Sequence, residues 1–165
     1  MASTKGIAVT IAILVGVVAA SFLVYLIPED TTMKIVVSDF EKHLDITKER
    51  VSMETTSVDE SFEKLMEMKM SSDEHIKIAE VSSSQINSLI IELINSGATG
   101  EWTESYVNYI GALKKLNEKI TETIVVANLM NSDNNSNSIN EIVAKIRQLE
   151  IESQDLIKKS DITRP

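Results

Sequence analysis

The sequence predicts an all-α protein in which an N-terminal transmembrane helix precedes an antiparallel bundle of three or four helices. A coiled-coil stalk is the alternative role for the residues between span and bundle. Three observations lead to this prediction. Residues 6–27 carry no charged side chain. The two prolines stand at positions 28 and 165, so none interrupts residues 29–164. Apolar side chains beyond residue 29 recur at spacings of three and four, which is the period of an α-helix.

The uncharged run at 6–27 is 22 residues long, which is the length of a membrane-spanning helix. At ~1.5 Å per residue it extends about 33 Å, and the hydrocarbon core of a bilayer is roughly 30 Å thick. Pro28 ends the run, and Lys5 precedes it on the side that basic residues favour, the cytoplasm. We therefore predict a short cytoplasmic segment at 1–5, a single-pass anchor in the cell membrane, and an extracytoplasmic region from residue 28.

A cleaved signal peptide is the alternative to a retained anchor. Val18, Ala19 and Ala20 have the small side chains of a cleavage site. However, the uncharged run continues to Ile27, and Lys5 is the only basic residue before it. Because signal peptides have a shorter apolar core and a more basic start, we favour a retained signal anchor.

The predicted span also has a ridge of small side chains that repeats every fourth residue. Such a ridge lets two transmembrane helices approach closely, and therefore predicts lateral association within the bilayer. Its members are Ala8, Ala12, Gly16 and Ala20.

The residues that open the span resemble a processing site. Lys5, Gly6, Ile7 and Ala8 before an apolar helix look like the cleavage site of archaeal pilin-type proteins. In that family, cleavage after the glycine frees a helix that packs into a filament. The resemblance implies a filament subunit as a lesser alternative, although the heads of that family usually carry β-sheet and this region is predicted to be helical.

Residues 28–70 form a helical arm with a seven-residue repeat, which is typical of coiled-coil packing. Two capping-box patterns, Ser57 with Glu60 and Ser71 with Glu74, predict breaks in this arm, and the first is the favoured hinge. The arm is either a fourth bundle helix or a stalk, so residues 28–165 are either one domain or two. The repeat consists of Val37, Leu44, Val51, Val58 and Leu65, with Phe40 and Phe62 beside it.

Residues 71–165 are predicted to form three helices of similar length with short connections, as expected of antiparallel neighbours in a bundle. Thr99 is the expected cap of the second helix, and Ser138 with Glu141 is the expected capping box of the third. The three stripes are Ile76, Ala79, Ser83, Ile86, Ile90 and Leu93, widened by Leu89 and Ile94; then Trp102, Tyr106, Tyr109, Leu113, Leu116, Ile120, Ile124, Ala127 and Met130; then Ile139, Ile142, Ile146, Leu149, Ser153 and Leu156.

The sequence offers no constellation for catalysis. It has no cysteine, which excludes disulfides and thiol nucleophiles. Its two histidines, His43 and His75, stand in charged surroundings and are expected on the surface. Neither completes the Glu-x-x-His pattern of a di-iron bundle, because positions 40 and 72 are Phe and Ser. We therefore expect no enzymatic activity and no cofactor.

Two short motifs give further hypotheses, one for metal binding and one for glycosylation. Met66 and Met70 share a helix face near His75, and thioethers with imidazole are ligands that suit copper. Core packing by flexible methionines is the simpler interpretation. Asn134 begins the triplet Asn-Asn-Ser, an acceptor sequence for N-glycosylation where that side of the membrane is the exterior.

Charge limits the partners. The chain has 25 acidic and 16 basic residues and a net charge of −9, which argues against nucleic acid. One span followed by a bundle resembles the extracytoplasmic four-helix sensor domains of chemotaxis transducers, although no second apolar run is present. The apolar N-terminal segment followed by an acidic helical region is also similar to small single-span archaeal envelope proteins. We expect a structural or interaction module that is anchored in the bilayer and associates with another membrane or envelope protein or with a second copy of itself. The alternative is an envelope domain that binds a ligand or a metal such as copper.

Overall fold

The computed structural model describes residue 37 and residues 39–131 and 136–165, and every regular element among them is helical. The all-α prediction is therefore confirmed for the described part of the chain. All described residues fall in one compact unit, Lys34–Pro165. Helices α1 to α4 span Phe40–Met66, Ser72–Asn95, Thr103–Asn131 and Ser136–Ile162, and a 3₁₀ turn, Gly100–Trp102, precedes α3.

Several predicted features lie outside the described residues and stay predictions. These are the segment at 1–5, the anchor at 6–27 with its ridge of Ala8, Ala12, Gly16 and Ala20, the pilin-like site, and Asn134. Within residues 37, 39–131 and 136–165, no helix combines the length and the apolar character that crossing a bilayer requires.

Polar contacts between helices define an up-down-up-down arrangement. His43 near the start of α1 contacts Glu92 near the end of α2. Ser105 near the start of α3 donates to the backbone carbonyl of Ser160 near the end of α4, at 2.8 Å. Consecutive helices are thus antiparallel, as expected for short connections. Of the two arrangements that the sequence leaves open for the arm, the structure has α1 packed among the other helices.

The core follows the seven-residue repeats of the sequence. On α1, Leu44, Val51, Val58 and Leu65 are each at most 4% exposed, as the predicted repeat requires. The α3 and α4 stripes also face inward, with their end residues only partly covered. Burial of such apolar surface is the main favourable term in the folding of a bundle. The largest enclosed side chains include Tyr106, Tyr109, Leu113, Ile120, Ile86 and Leu89.

The predicted stripe of α2 is partly wrong, because its buried face includes polar side chains. Ile94, which was expected to widen the stripe, is 57% exposed. His75 and Ser82 are enclosed instead, at 0% and 2%. A pattern of apolar residues alone misses these positions, since polar groups are buried wherever a partner satisfies them. The two buried rows are Ser72, Ala79, Ile86 and Leu93, and His75, Ser82, Leu89 and Ser96.

The caps agree with the sequence at one of four predicted places. Ser71 and Glu74 form a capping box, in which the Ser71 backbone N–H donates to the Glu74 carboxylate at 3.1 Å and the Glu74 N–H donates to the Ser71 hydroxyl at 3.3 Å. Thr99 is the first residue before the 3₁₀ turn, but its side chain makes no capping hydrogen bond. Ser138 lies inside α4, so its predicted box with Glu141 is wrong.

The predicted break at Ser57 is also wrong, because α1 continues without interruption from Phe40 to Met66. Thr55 helps explain why the hydroxyl-rich stretch remains helical. Its hydroxyl donates to the Val51 carbonyl at 3.0 Å, one turn back, and therefore does not compete for backbone groups ahead of it. The chain turns only after α1, where Met68 adopts a positive φ of 57°.

Substitution of the two serines separates the true cap from the false one. We expect Ser71→Ala to lower the free energy of unfolding by about 1 kcal/mol, because the first turn of α2 loses its cap. Ser57→Ala should leave the stability unchanged or slightly higher, since alanine is the better helix former at an exposed interior position. Urea unfolding followed by circular dichroism measures both, and equal losses would contradict the assignment.

Candidate functional site

A groove with a volume of about 330 Å³ opens between α1 and α4, and α3 forms its floor. We call it the α1–α4 groove. Its floor is apolar and its walls are largely polar, and its volume falls in the range of roughly 300–1,000 Å³ found for small-molecule sites. It is lined by Lys48, Val51, Ser52, Thr55 and Asp59 of α1, Tyr109 and Leu116 of α3, and Glu150, Gln154 and Ile157 of α4.

Ion pairs bound the groove at its two ends. At one end, Lys48 pairs with Asp161, and its ammonium lies 5.4 Å from the centre of the Tyr109 ring. At the other end, Lys119 of α3 reaches Asp59 of α1 and Glu150 of α4. The α1 wall between these ends has short side chains, Ser52 and Thr55 among them. The long charged side chains thus connect the helices at the two ends of the groove, and the short side chains of α1 leave the space between those ends open.

Lys119 is the most deeply buried charge at this site. It is 6% exposed, and its ammonium lies 2.8 Å from an oxygen of Asp59 and 2.5 Å from an oxygen of Glu150. Burial lowers the pKa of the Lys119 ammonium, but its hydrogen bonds to the two carboxylates and their negative charges together leave that pKa above the usual value. Burial raises the pKa of Glu150, but the hydrogen bonds from Lys119 and Gln154 together with the charge of Lys119 leave that pKa below the usual value. One ammonium and two carboxylates leave the cluster with a formal charge of −1.

Tyr109 and Tyr106 form a contrasting pair on the same helix. Both are buried, at 1% and 2% exposure, and burial raises the pKa of both phenols, that of Tyr106 to about 12. The Tyr106 hydroxyl donates to the backbone carbonyl of Phe40 at 2.9 Å and contacts His43 at 2.9 Å. Among the described residues, none hydrogen bonds to the Tyr109 hydroxyl, which is not sealed from solvent. Tyr109 therefore has an unpartnered polar atom where it lines the groove.

His75 lies in the core, so its predicted surface position is wrong. It is 0% exposed, and its ring nitrogens lie 2.9 Å from the Ser61 hydroxyl and 3.0 Å from the Thr123 hydroxyl. Phe62 packs beside the ring at 5.6 Å between centroids. Burial lowers the pKa of the His75 imidazole. Each hydroxyl also lies within hydrogen-bond distance of a backbone carbonyl three residues back. A neutral ring therefore has both nitrogens satisfied when it donates to one hydroxyl and the other hydroxyl donates to the ring, in a position between α1, α2 and α3.

His43 is also more covered than expected, since its side chain is only 14% exposed. Its second ring nitrogen lies 3.1 Å from a Glu92 oxygen, and Arg50 binds the other Glu92 oxygen at 2.9 Å. Burial raises the pKa of Glu92, but the hydrogen bonds and electrostatic attraction from Arg50 and His43 together leave that pKa below the usual value. This network joins α1 to α2 and serves packing.

The predicted copper ligands are placed differently from one another. Met66 is 40% exposed at the end of α1, and Met70 is partly covered in the turn that follows. His75 is enclosed, with both nitrogens engaged as described above. Within the described ranges, no three His, Asp or Glu side chains are arranged to hold a metal ion. The copper hypothesis stays a prediction, and it requires His75 to give up one of its hydrogen bonds.

A second feature is an exposed apolar surface on α2 and α3, which we call the α2–α3 surface. Ile91, Ile94 and Val107 are 58%, 57% and 61% exposed. Glu92 and Tyr106 both contact His43, so these stretches of α2 and α3 lie at the same level of the bundle. Residues 81–100 contain a single charged side chain, Glu92, in a chain that is 25% charged.

Sequence reasoning missed Lys119 and Tyr109 as site residues. The sequence does contain a signal for Lys119, because this lysine stands in a row of residues that are otherwise small or apolar. That row repeats every seventh residue on α3, is buried throughout, and consists of Ser105, Ala112, Lys119 and Val126. For Tyr109 the sequence holds no signal, because its pattern position is that of an ordinary core residue.

Comparisons with protein-family models, with curated proteins and with solved structures give no match for this chain. Function is therefore inferred from the side chains that the fold brings together.

Removal of the buried ammonium should destabilise the bundle. We expect Lys119→Met to lower the free energy of unfolding by about 2 kcal/mol, because two carboxylates lose their shared cation while the alkyl packing is kept. The loss is smaller than for fully enclosed pairs, since Asp59 and Glu150 retain contact with water. Lys115→Met, which removes a more exposed lysine of α3, is the control in the same urea titration and should cost much less.

Stability should also depend on pH through His75. Its pKa is lowered in the folded state, so below the ordinary histidine pKa of about 6.5 the unfolded chain takes up a proton that the folded chain resists. The free energy of unfolding should therefore fall as the pH drops through this range. His75→Gln should show a shallower fall when both are unfolded at a series of pH values. Identical slopes would contradict the assignment.

Proposed function

We propose that this protein is a membrane-anchored, extracytoplasmic helical-bundle module that acts by association and catalyses no reaction. The observation that carries the proposal is the α2–α3 surface, where large aliphatic side chains are exposed and residues 81–100 contain a single charged side chain. Exposed apolar clusters of this kind mark interaction sites in soluble domains. The cores of protein interfaces are likewise depleted of charged residues.

The partner that this surface fits is a second copy of the chain. Each copy has a net charge of −9, so two copies repel one another across most of their surfaces. Residues 81–100 contribute one charge only, and copies can therefore approach there at the lowest electrostatic cost. The exposed Ile91, Ile94 and Val107 supply the apolar area that such a contact buries.

The anchor is the second part of the proposal. The uncharged run at 6–27 supports membrane attachment, with Lys5 on the cytoplasmic side and the bundle outside. Attachment to one bilayer raises the effective concentration of copies relative to one another, which strengthens a weak contact. The small-residue ridge of Ala8, Ala12, Gly16 and Ala20 gives the spans a contact of their own.

Cysteine cross-linking of the full chain in membranes tests the association. Because the chain has no cysteine, a single introduced one reports a single position. We expect Ile91→Cys to give a dimer with a short bis-maleimide. The matched control is Ile151→Cys on α4, where the native side chain is equally exposed, at 57% against 58%, but lies outside the α2–α3 surface. This control should remain monomeric.

Two further variants identify the surface that carries the contact. Adding Ile94→Glu to Ile91→Cys should abolish the dimer, because it places a charge within the apolar contact. Adding Gly16→Ile should weaken the dimer without preventing insertion, since isoleucine is favourable in lipid. Monomer from Ile91→Cys, or equal cross-linking from Ile91→Cys and Ile151→Cys, would refute the proposal.

A further inference from the structure

We propose that the α1–α4 groove binds a small organic amine of single positive charge, with an apolar body and a hydrogen-bonding group at its far end. This inference goes beyond association through the α2–α3 surface, because α1, α3 and α4 form the groove. It rests on three features of the groove: its enclosed apolar floor, the excess negative charge at one end, and an unpartnered hydroxyl towards the other.

The floor fits the body of such a ligand. Tyr109 and Leu116 are 1% and 3% exposed, and Val51 at 4% continues the apolar surface onto α1. From Tyr109 to Leu116 is seven residues along α3, or about 10 Å at ~1.5 Å per residue. An extended chain of six carbon atoms that carries a nitrogen at one end and an oxygen at the other has a similar length. Its burial on this surface supplies the favourable hydrophobic term.

The charge at one end fits a cation. Asp59 and Glu150 share the single ammonium of Lys119, so these three residues have a formal charge of −1. Arg147 lies beside the same cluster without forming an ion pair with either carboxylate. Their side chains are 51% and 37% exposed, and both line the groove. A ligand ammonium placed there balances the cluster, whereas a carboxylate adds to its negative charge. A small amine is therefore favoured over a small acid.

The hydroxyl towards the other end selects the far group of the ligand. Tyr109 is almost completely buried, yet within the described chain its hydroxyl has no hydrogen-bond partner. The oxygen atom itself is open to solvent, so a ligand group that hydrogen bonds to it takes the place of water. The nearby Lys48 ammonium and the Tyr109 O–H are both donors, so they fit an oxygen acceptor such as a hydroxyl or carbonyl group.

Isothermal titration of the full chain in lipid nanodiscs tests the proposal, with 6-aminohexan-1-ol as the probe. Empty nanodiscs correct for partition into lipid. We expect saturable binding of 6-aminohexan-1-ol, and little binding of hexan-1-ol, which lacks the amine, or of 6-hydroxyhexanoate, which carries the opposite charge. Absence of saturable heat, or equal binding of hexan-1-ol, would overturn the inference.

Two tyrosine variants provide a matched control. Tyr109→Phe removes a hydroxyl without a protein partner, so it should weaken binding about fivefold and leave the melting temperature unchanged. Tyr106→Phe removes a hydroxyl that bonds to Phe40 and His43, so it should lower the melting temperature and leave binding unchanged. If Tyr109→Phe loses stability as Tyr106→Phe does, the hydroxyl has a structural role and the inference fails.

Asp59→Asn tests the charge. Asparagine can still accept a hydrogen bond from Lys119, and Glu150 stays in place, but the cluster becomes neutral. We expect the affinity for 6-aminohexan-1-ol to fall about tenfold. An unchanged affinity in a folded Asp59→Asn variant would show that the cluster does not bind the amine. Cross-linking through Ile91→Cys reports association separately, so either proposal can fail alone.

Discussion

The ammonium of Lys119 joins three of the four helices, and the shape of the bundle on one side depends on it. From α3 it binds Asp59 of α1 and Glu150 of α4, so each of these helices is fixed to α3 by a charged hydrogen bond. An unpaired charge at that depth would be costly, and the two carboxylates must therefore stay near it. That requirement holds α1 and α4 at a spacing that leaves a groove above Tyr109 and Leu116.

Polar pairs fix the register of α1 against α2 in a way that apolar contacts alone do not. Ser61 faces His75, Glu54 accepts from Ser82 at 2.7 Å, and His43 meets Glu92. A shift of one helix by seven residues would keep the apolar rows in contact but would leave these groups without partners. Buried polar positions are known to specify register in coiled coils for the same reason. The α1–α2 pairing therefore has one satisfactory alignment.

The sequence was sufficient for the helical class and for most core positions, because a seven-residue repeat on four helices leaves little choice of buried face. It was insufficient where polar residues are buried. His75 sits in a charged sequence, so composition placed it on the surface, whereas tertiary partners put it in the core. The groove could not be predicted either, since Asp59, Lys119 and Glu150 are distant in the chain and only the packing of three helices brings them together.

The up-down-up-down connectivity has a consequence for how the bundle assembles. Each of the three hairpins, α1 with α2, α2 with α3 and α3 with α4, closes through a short connection, and such local contacts form quickly. The pairing of α1 with α4 joins the most distant parts of the described chain, so its loop-closure entropy is the largest. The α1–α4 pairing is the one least supported by local contacts, and we expect it to open first when the native state fluctuates. The α1–α4 groove lies between these two helices. A molecule bound there would contact both helices and slow their separation.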